Sequence, residues 1–186
     1  MSVLEIRVLG DPILRDTTNP VAQVTDDVRR LLDDMFETMY AANGVGLAAP
    51  QVGRRERICV IDVGDGPLAL INPQVTLSQG RVRAEEGCLS IPEIFGEVER
   101  ALSVTVDALD AQGEPITVHG SELLARAMQH EIDHLHGKLF IDYLSMLKRR
   151  SAMAAWDRMK SDFPGFRRVL SAQEVAERGS IRDEEL

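Results

Sequence analysis

The chain has 186 residues, a length that fits one domain and lets folding bury about 70% of the surface an unfolded chain exposes. Apolar residues make up 44% and charged residues 27%, the balance of a soluble globular protein, and a net charge of −9 excludes a surface with general affinity for nucleic acid. No apolar run approaches the roughly 20 residues that span a bilayer. The opening MSVLEIRVLGDPILRD, with Glu5 and Arg7 and no long apolar core, reads as neither a secretory signal nor a transit peptide, so a cytoplasmic protein with no membrane partner is expected.

In chain order, DDVRRLLDDMFETMYAA (26–42) spaces Val28, Leu31, Leu32, Met35 and Met39 at helical intervals. Its acids stand at the front, where the helix dipole favours them, and an amphipathic helix is predicted. The glycine-rich NGVGLAAPQVGRR that follows predicts an ordered loop. RICVIDV and PLALINP read as short buried strands split by the turn GDG, and Cys59 in the first of them as a small buried thiol. From Ala101 to Leu109, apolar Leu102, Val104 and Val106 alternate with Ser103, Thr105 and Asp107, the mark of a half-buried strand that DAQGEP turns into a second, ITVHG. A central helix, apolar on nearly every side, is predicted from about Ser121 to His136, closed by Gly137. Another runs from about 145 to 160, with Leu147, Met153, Trp156 and Met159 to pack. A Pro-Gly break and mixed charge beyond it divide the chain into one domain, 1–165, and a mobile charged tail, 166–186. Strands gathered around one helix, without βαβ alternation, predict an α+β fold: short antiparallel sheets packed on the central helix, plus a C-terminal helix.

QHEIDHLHG (129–137) holds three of the four histidines. His130 and His134 are four residues apart and so share a helix face, where both imidazoles reach one divalent ion, and Glu131 projects beside them as a base for a metal-activated water. The third ligand decides the class. A metzincin needs a histidine where Phe140 stands, and a thermolysin-like site needs a glutamate in a region that has none between Glu131 and Glu174. The best candidate is upstream, Cys88 in EEGCLSIPE, whose thiolate would join two imidazoles and leave a fourth position open. His136 matches no ligand position and reads as a surface or cap residue.

GVGLAAPQ (44–51), EGCLS (86–90) and QHEIDHL (129–135), in that order and spacing, resemble the three motifs of the peptide deformylases. GDPILR and GKLFIDYLS extend the resemblance over about residues 5–147. It implies a metal-dependent hydrolase that removes the formyl group from N-formylmethionyl nascent polypeptides and releases formate. By the same resemblance Cys88, His130 and His134 would hold the metal, Fe(II) first and Ni(II), Co(II) or Zn(II) as alternatives. Metal-bound hydroxide would attack the formyl carbon, with Glu131 as general base and then acid, and Gln51 and the backbone N–H of Leu89 would stabilise the developing oxyanion. Val45, Gly46 and Gly87 would pair with the peptide main chain as an added strand, and Leu123 and Ala127, beside His130, would receive the methionine. Asp133 would pair with Arg100 to brace the metal helix. Arg126 and Glu99 depart from the common pattern, the first at the methionine pocket and the second beside Arg100. Between Leu147 and Arg168, seven basic residues (Lys148, Arg149, Arg150, Arg158, Lys160, Arg167, Arg168) face two acids, a local charge of 7 − 2 = +5 that suits docking on ribosomal RNA. A catalytically silent relative would be expected to lose Glu131 or a ligand, and all are kept.

Overall fold

A computed structural model describes residues 2–171 and 174–175. Its central five-stranded sheet has the order β2-β3-β4-β7-β8, every pair antiparallel: β2 (Gly46–Ala48), β3 (Ile58–Ile61), β4 (Leu68–Gln79), β7 (Ser103–Leu109) and β8 (Pro115–Ser121). At β3 both faces of this sheet are covered. Ile58 and Val60 of β3 pack with Leu31, Leu32, Met35 and Met39 of helix α1 (Asp26–Ala41), while Cys59 and Ile61 pack with Ala125, Met128, Ile132 and Leu135 of α2 (Glu122–Leu135). Successive strand residues point to opposite faces, so a strand sandwiched between two helices is apolar at every position, which is why ICVI shows no alternation.

Helix α1 begins at Thr25, whose side chain accepts from the N–H of Val28, with Asp26 and Asp27 in the first turn. Helix α2 ends as its sequence demands. Gly137 takes a left-handed φ of 71°, its N–H donates to His134, and the N–H of Lys138 donates to Asp133, the paired bonds that satisfy the last carbonyls. A Cβ there would lie 2.4 Å from the Arg15 carbonyl oxygen, so glycine is required on both counts. His136 is the exposed C-cap residue, its Nδ1 donating to the Ile132 carbonyl at 2.8 Å.

Beside this body stands the hairpin β5 (Val82–Cys88) and β6 (Ile91–Arg100). Ile91, Ile94 and Val98 pack on Phe140, Leu144 and Trp156, the last from helix α3 (Met146–Met159). The hairpin is not legible as period two. Glu93 has a φ of 59°, which breaks the register so that Ile91 and Ile94, an odd number apart, both point inward; from Ile94 onward every second residue is turned in, ending with Arg100.

Three expectations are corrected. GVGLAAPQ is not a loop throughout: Gly46–Ala48 pair with β3 as the edge strand β2, and Ala49–Val52 form a 3₁₀ turn closed by Gly53. PLALINP is the start of a twelve-residue strand with two irregularities, since its far half lies exposed on β7 and carries polar residues. The chain beyond residue 165 does not leave the body at once. Arg167–Arg168 form β9 on β1 (Ile6–Arg7), and Leu170 is buried. The remainder of the expected tail, 172–173 and 176–186, lies outside the described residues. Among those described, no helix is long and apolar enough to cross a membrane.

Candidate metal centre

Two elements converge on one point. Helix α2 presents His130 and His134 one turn apart, with their Nε2 atoms 3.3 Å from each other. β5 ends at Cys88, where a register shift after Glu86 turns the sulfur toward the helix, 3.3 Å from His134 Nε2. All three ligand atoms lie within 4.8 Å of one another. Tetrahedral sites have metal–ligand bonds of about 2.0 to 2.3 Å, hence ligand–ligand edges of roughly 3.3 to 3.8 Å. A soft sulfur and two imidazole nitrogens at this separation fit a divalent transition metal, and Cys88 and His130 line the cavity described below.

A buried ionic chain holds this geometry. Glu86 accepts from His130 Nδ1 at 3.1 Å and from Arg100 Nε and Nη2 at 2.9 and 3.0 Å. A carboxylate can only accept, so His130 carries a proton on Nδ1, and the ring is held with Nε2 toward the ligand cluster. The third nitrogen of Arg100 holds Asp133, and its guanidinium lies 4.5 Å from the Tyr143 ring centroid. The expected Asp133–Arg100 pair is therefore present, but Glu86 was missed as its centre. No local signal pointed to it, because the register shift between Glu86 and Cys88 interrupts the alternation that would otherwise relate their faces. Glu99 causes no conflict, because it points outward to Arg81 and Arg83.

Electrostatics follow the burial. Desolvation would raise Glu86, yet His130 and Arg100 hold its carboxyl at about 2. Burial works against His130 too, but Cys88 and Glu86 hold it well above the usual histidine range. His134 is driven well below that range by burial and by His130, and its Nδ1 has no hydrogen-bond partner among the described residues. Glu131 has no such support: burial pushes its carboxyl up to about 7, and its Oε2 is likewise unpartnered. Burial also raises the Cys59 thiol well above its usual value, consistent with an inert core residue.

Gln51, 1% exposed, is fixed by its own turn. Its Oε1 accepts from Ala48 N–H at 2.8 Å, which aims Nε2 at Ser90 Oγ (3.2 Å) and at Cys88 Sγ (3.5 Å). A cavity of about 540 Å³ opens over the site. Val45, Gly46, Gly87, Leu89, Leu123 and Ala127 line it together with Gln51, Cys88, His130 and Glu131, while His134 stays behind them, buried. A Cβ on Gly46 would meet Glu131 Oε1 at 2.3 Å, so only glycine lets the edge strand pass this close to the carboxylate. Arg126, expected at the methionine pocket, lines the cavity, and so do Phe95, Phe163 and Arg168, which no motif indicated.

Residues 3–150 match the family model described as polypeptide deformylase. The chain belongs to the polypeptide deformylase family. It is 52% identical over 154 residues to a peptide deformylase of Alkalilimnicola ehrlichii, covering 81% of this chain and 86% of that one. A peptide deformylase of Desulfitobacterium hafniense is 51% identical over 150 residues, 81% of this chain and 100% of that one. Among solved structures, a peptide deformylase from Legionella pneumophila superposes with a TM-score of 0.83 at 45% identity, covering 86% of this chain and 96% of that one. One from Ehrlichia chaffeensis, in complex with actinonin, gives 0.82 at 40% identity, covering 87% and 98%. The deformylase fold is thus the α+β arrangement described above, with α2 at its centre and α3 behind the hairpin.

Proposed function

We propose that this deformylase removes the formyl group from N-formylmethionyl nascent polypeptides and releases formate, and that Cys88, His130 and His134 hold the metal ion the reaction requires. The observation that carries the reading is the convergence of one sulfur and two Nε2 atoms beside a buried carboxylate raised to about 7. Fe(II) is the proposed native ion, with Ni(II), Co(II) or Zn(II) compatible with the same donors. When bound, such an ion polarises a carbonyl and lowers the pKa of water.

The remaining work falls to the chain's own groups. Glu131 takes a proton from water and passes it to the departing amine, a cycle suited to a carboxyl whose proton affinity lies near neutrality. Gln51 Nε2 and the N–H of Leu89 donate to the formyl oxygen, where negative charge collects. Since β2 is the edge of its sheet, Val45 and Gly46 can bond an extended peptide on their free side, with Gly87 on its other flank. The methionine side chain lies against α2, where Ala127 leaves room beside Leu123 and the His130 ring. A cytoplasmic location and contact with ribosomal RNA through Lys148, Arg149 and Arg150 complete the reading. Lys148 and Arg149 already pair with Glu97 and Asp142, so docking would exchange those partners for phosphates. Ribosome pelleting unchanged after all three are neutralised would remove that contact.

The main test is formate release from a short N-formylmethionyl peptide by protein purified without air and loaded with Fe(II) or Ni(II), beside unformylated and N-acetylated peptides. Release from the formyl substrate alone is expected. No release, with one metal bound per chain, would refute the assignment.

A further inference from the structure

The family match ends at residue 150, yet the wall of the cavity continues beyond it, because Phe163 and Arg168 line the same space as Gly87, Cys88 and Glu131. They arrive there because the chain turns back after α3. Phe163 stacks on buried Trp156, with ring centroids 5.6 Å apart and planes 18° apart. Gly165 then takes a left-handed φ of 64°, the Phe166 ring lies against Gly10, and the Phe166 carbonyl accepts from Val8 N–H at 2.9 Å. β9 follows on β1, and Leu170 is buried with Ile6, Ala41 and Ala42, next to Leu89. The segment is pinned on both sides of the two residues it contributes to the cavity.

Phe163 packs with the core cluster that includes Ile91 and Cys88, and Leu170 with the one that includes Leu89. Phe163 therefore borders the cavity on the side of the β5–β6 hairpin, and Arg168 lines the same cavity, whereas the methionine is assigned to α2. A cavity of about 540 Å³ is on the scale of a drug-sized ligand, larger than one amino-acid residue needs. Arg168 is partly exposed and already binds a carboxylate, its Nη2 donating to Glu174 Oε1 at 3.0 Å.

Resting on the deformylase reading above, we propose that the segment Lys160–Leu170 is an outer wall of the peptide cleft, with Phe163 and Arg168 touching the residues after formylmethionine and favouring an acidic side chain there. Phe163 supplies an apolar platform. Arg168 supplies a guanidinium that exchanges Glu174 for the peptide's carboxylate. Glu85 and Glu93 also line the cavity and repel an acid along the hairpin, so the preference belongs only to the peptide position that reaches Arg168.

The test compares kcat/KM for formate release from formyl-Met peptides carrying Asp or Lys at the second or the third residue, in the full-length protein, its Arg168→Glu variant and its Glu174→Gln variant. At the position that reaches Arg168, the wild type should prefer Asp over Lys about five- to tenfold, the size of one partly solvated charge contact. Arg168→Glu should lower that ratio about tenfold or invert it, and Glu174→Gln, which removes the competing carboxylate, should raise it by roughly two- to threefold. Formate from every peptide, with the same ratio in all three proteins at both positions, would overturn this inference. Formate from none would instead overturn the deformylase reading on which it rests. A second readout needs no turnover. Trp156 is the chain's single tryptophan and stacks on Phe163, so titration with the deformylated product peptides should shift its emission, more for the Asp peptide than for the Lys peptide. No shift, at concentrations of product that inhibit formate release, would exclude the Phe163 contact.

Discussion

Arg100→Met should be the most damaging single change outside the ligands themselves. Arg100 has a side chain 4% exposed and, among the described residues, is the cation that bonds both Glu86 and Asp133, whose side chains are 6% and 15% exposed. Methionine replaces most of the apolar stem, so little packing is lost; what remains is two carboxylates with their counter-charge removed. Breaking such a buried pair costs about 3–5 kcal/mol, and the lost contact with the Tyr143 ring adds about 0.5–1 kcal/mol. In a protein of this size each kcal/mol lowers the melting temperature by about 2–4 °C, so a fall of roughly 10 °C is expected in thermal unfolding followed by circular dichroism. Metal affinity, measured by competition with a chelator, should drop about 10- to 100-fold, since Glu86 no longer orients His130 from a fixed position. The double variant Arg100→Met/Glu86→Gln removes one stranded charge and keeps an acceptor for His130 Nδ1–H. It should be more stable than Arg100→Met alone, with a coupling of at least about 1 kcal/mol. A loss below about 1 kcal/mol in the single variant, or simple additivity in the double, would refute the claim that this chain of charges holds the site.

Glu131→Ala should keep one metal per chain by elemental analysis while lowering formate release about 10²- to 10⁴-fold; retained turnover would contradict its role as the base. Gly137→Ala forces a Cβ into the Arg15 carbonyl at a left-handed φ, and urea unfolding should show a loss of about 1–3 kcal/mol, against near neutrality if the turn relaxes. Burial would raise Asp142, but bonds from Arg15 and the Leu139 N–H hold its carboxyl below the usual range. A depressed acid contributes stability that is present above its unfolded pKa, about 3.9, and is lost as pH falls through the folded value. Wild type should therefore exceed Asp142→Asn in urea midpoint at pH 6, with the gap closing below about pH 4; a gap that is constant or widens on acidification would contradict this.

Helices α1, α2 and α3 were legible from spacing, because side chains three and four residues apart share a helix face whatever surrounds them. For the same reason His130 and His134 could be read as one ligand pair. Cys88 could be nominated from its chemistry and from motif order, but its approach to His134 spans 46 residues and depends on how a hairpin folds against a helix. That hairpin escaped notice because one residue, Glu93, with its positive φ, disrupts the alternation by which strands are recognised. Glu86 escaped with it: an acid among acids in EEGC looks solvated until Arg100, fourteen residues on, is brought to the same interior by the register of β5 on β6. The return of the chain at β9 was hidden for a similar reason. Two arginines make no strand signal, and they become one only because Ile6 and Arg7, at the far end of the sequence, lie open beside them. Local periodicity is written into consecutive residues, whereas a pairing between distant strands is chosen by the free energy of the whole packed molecule, which no window of sequence contains.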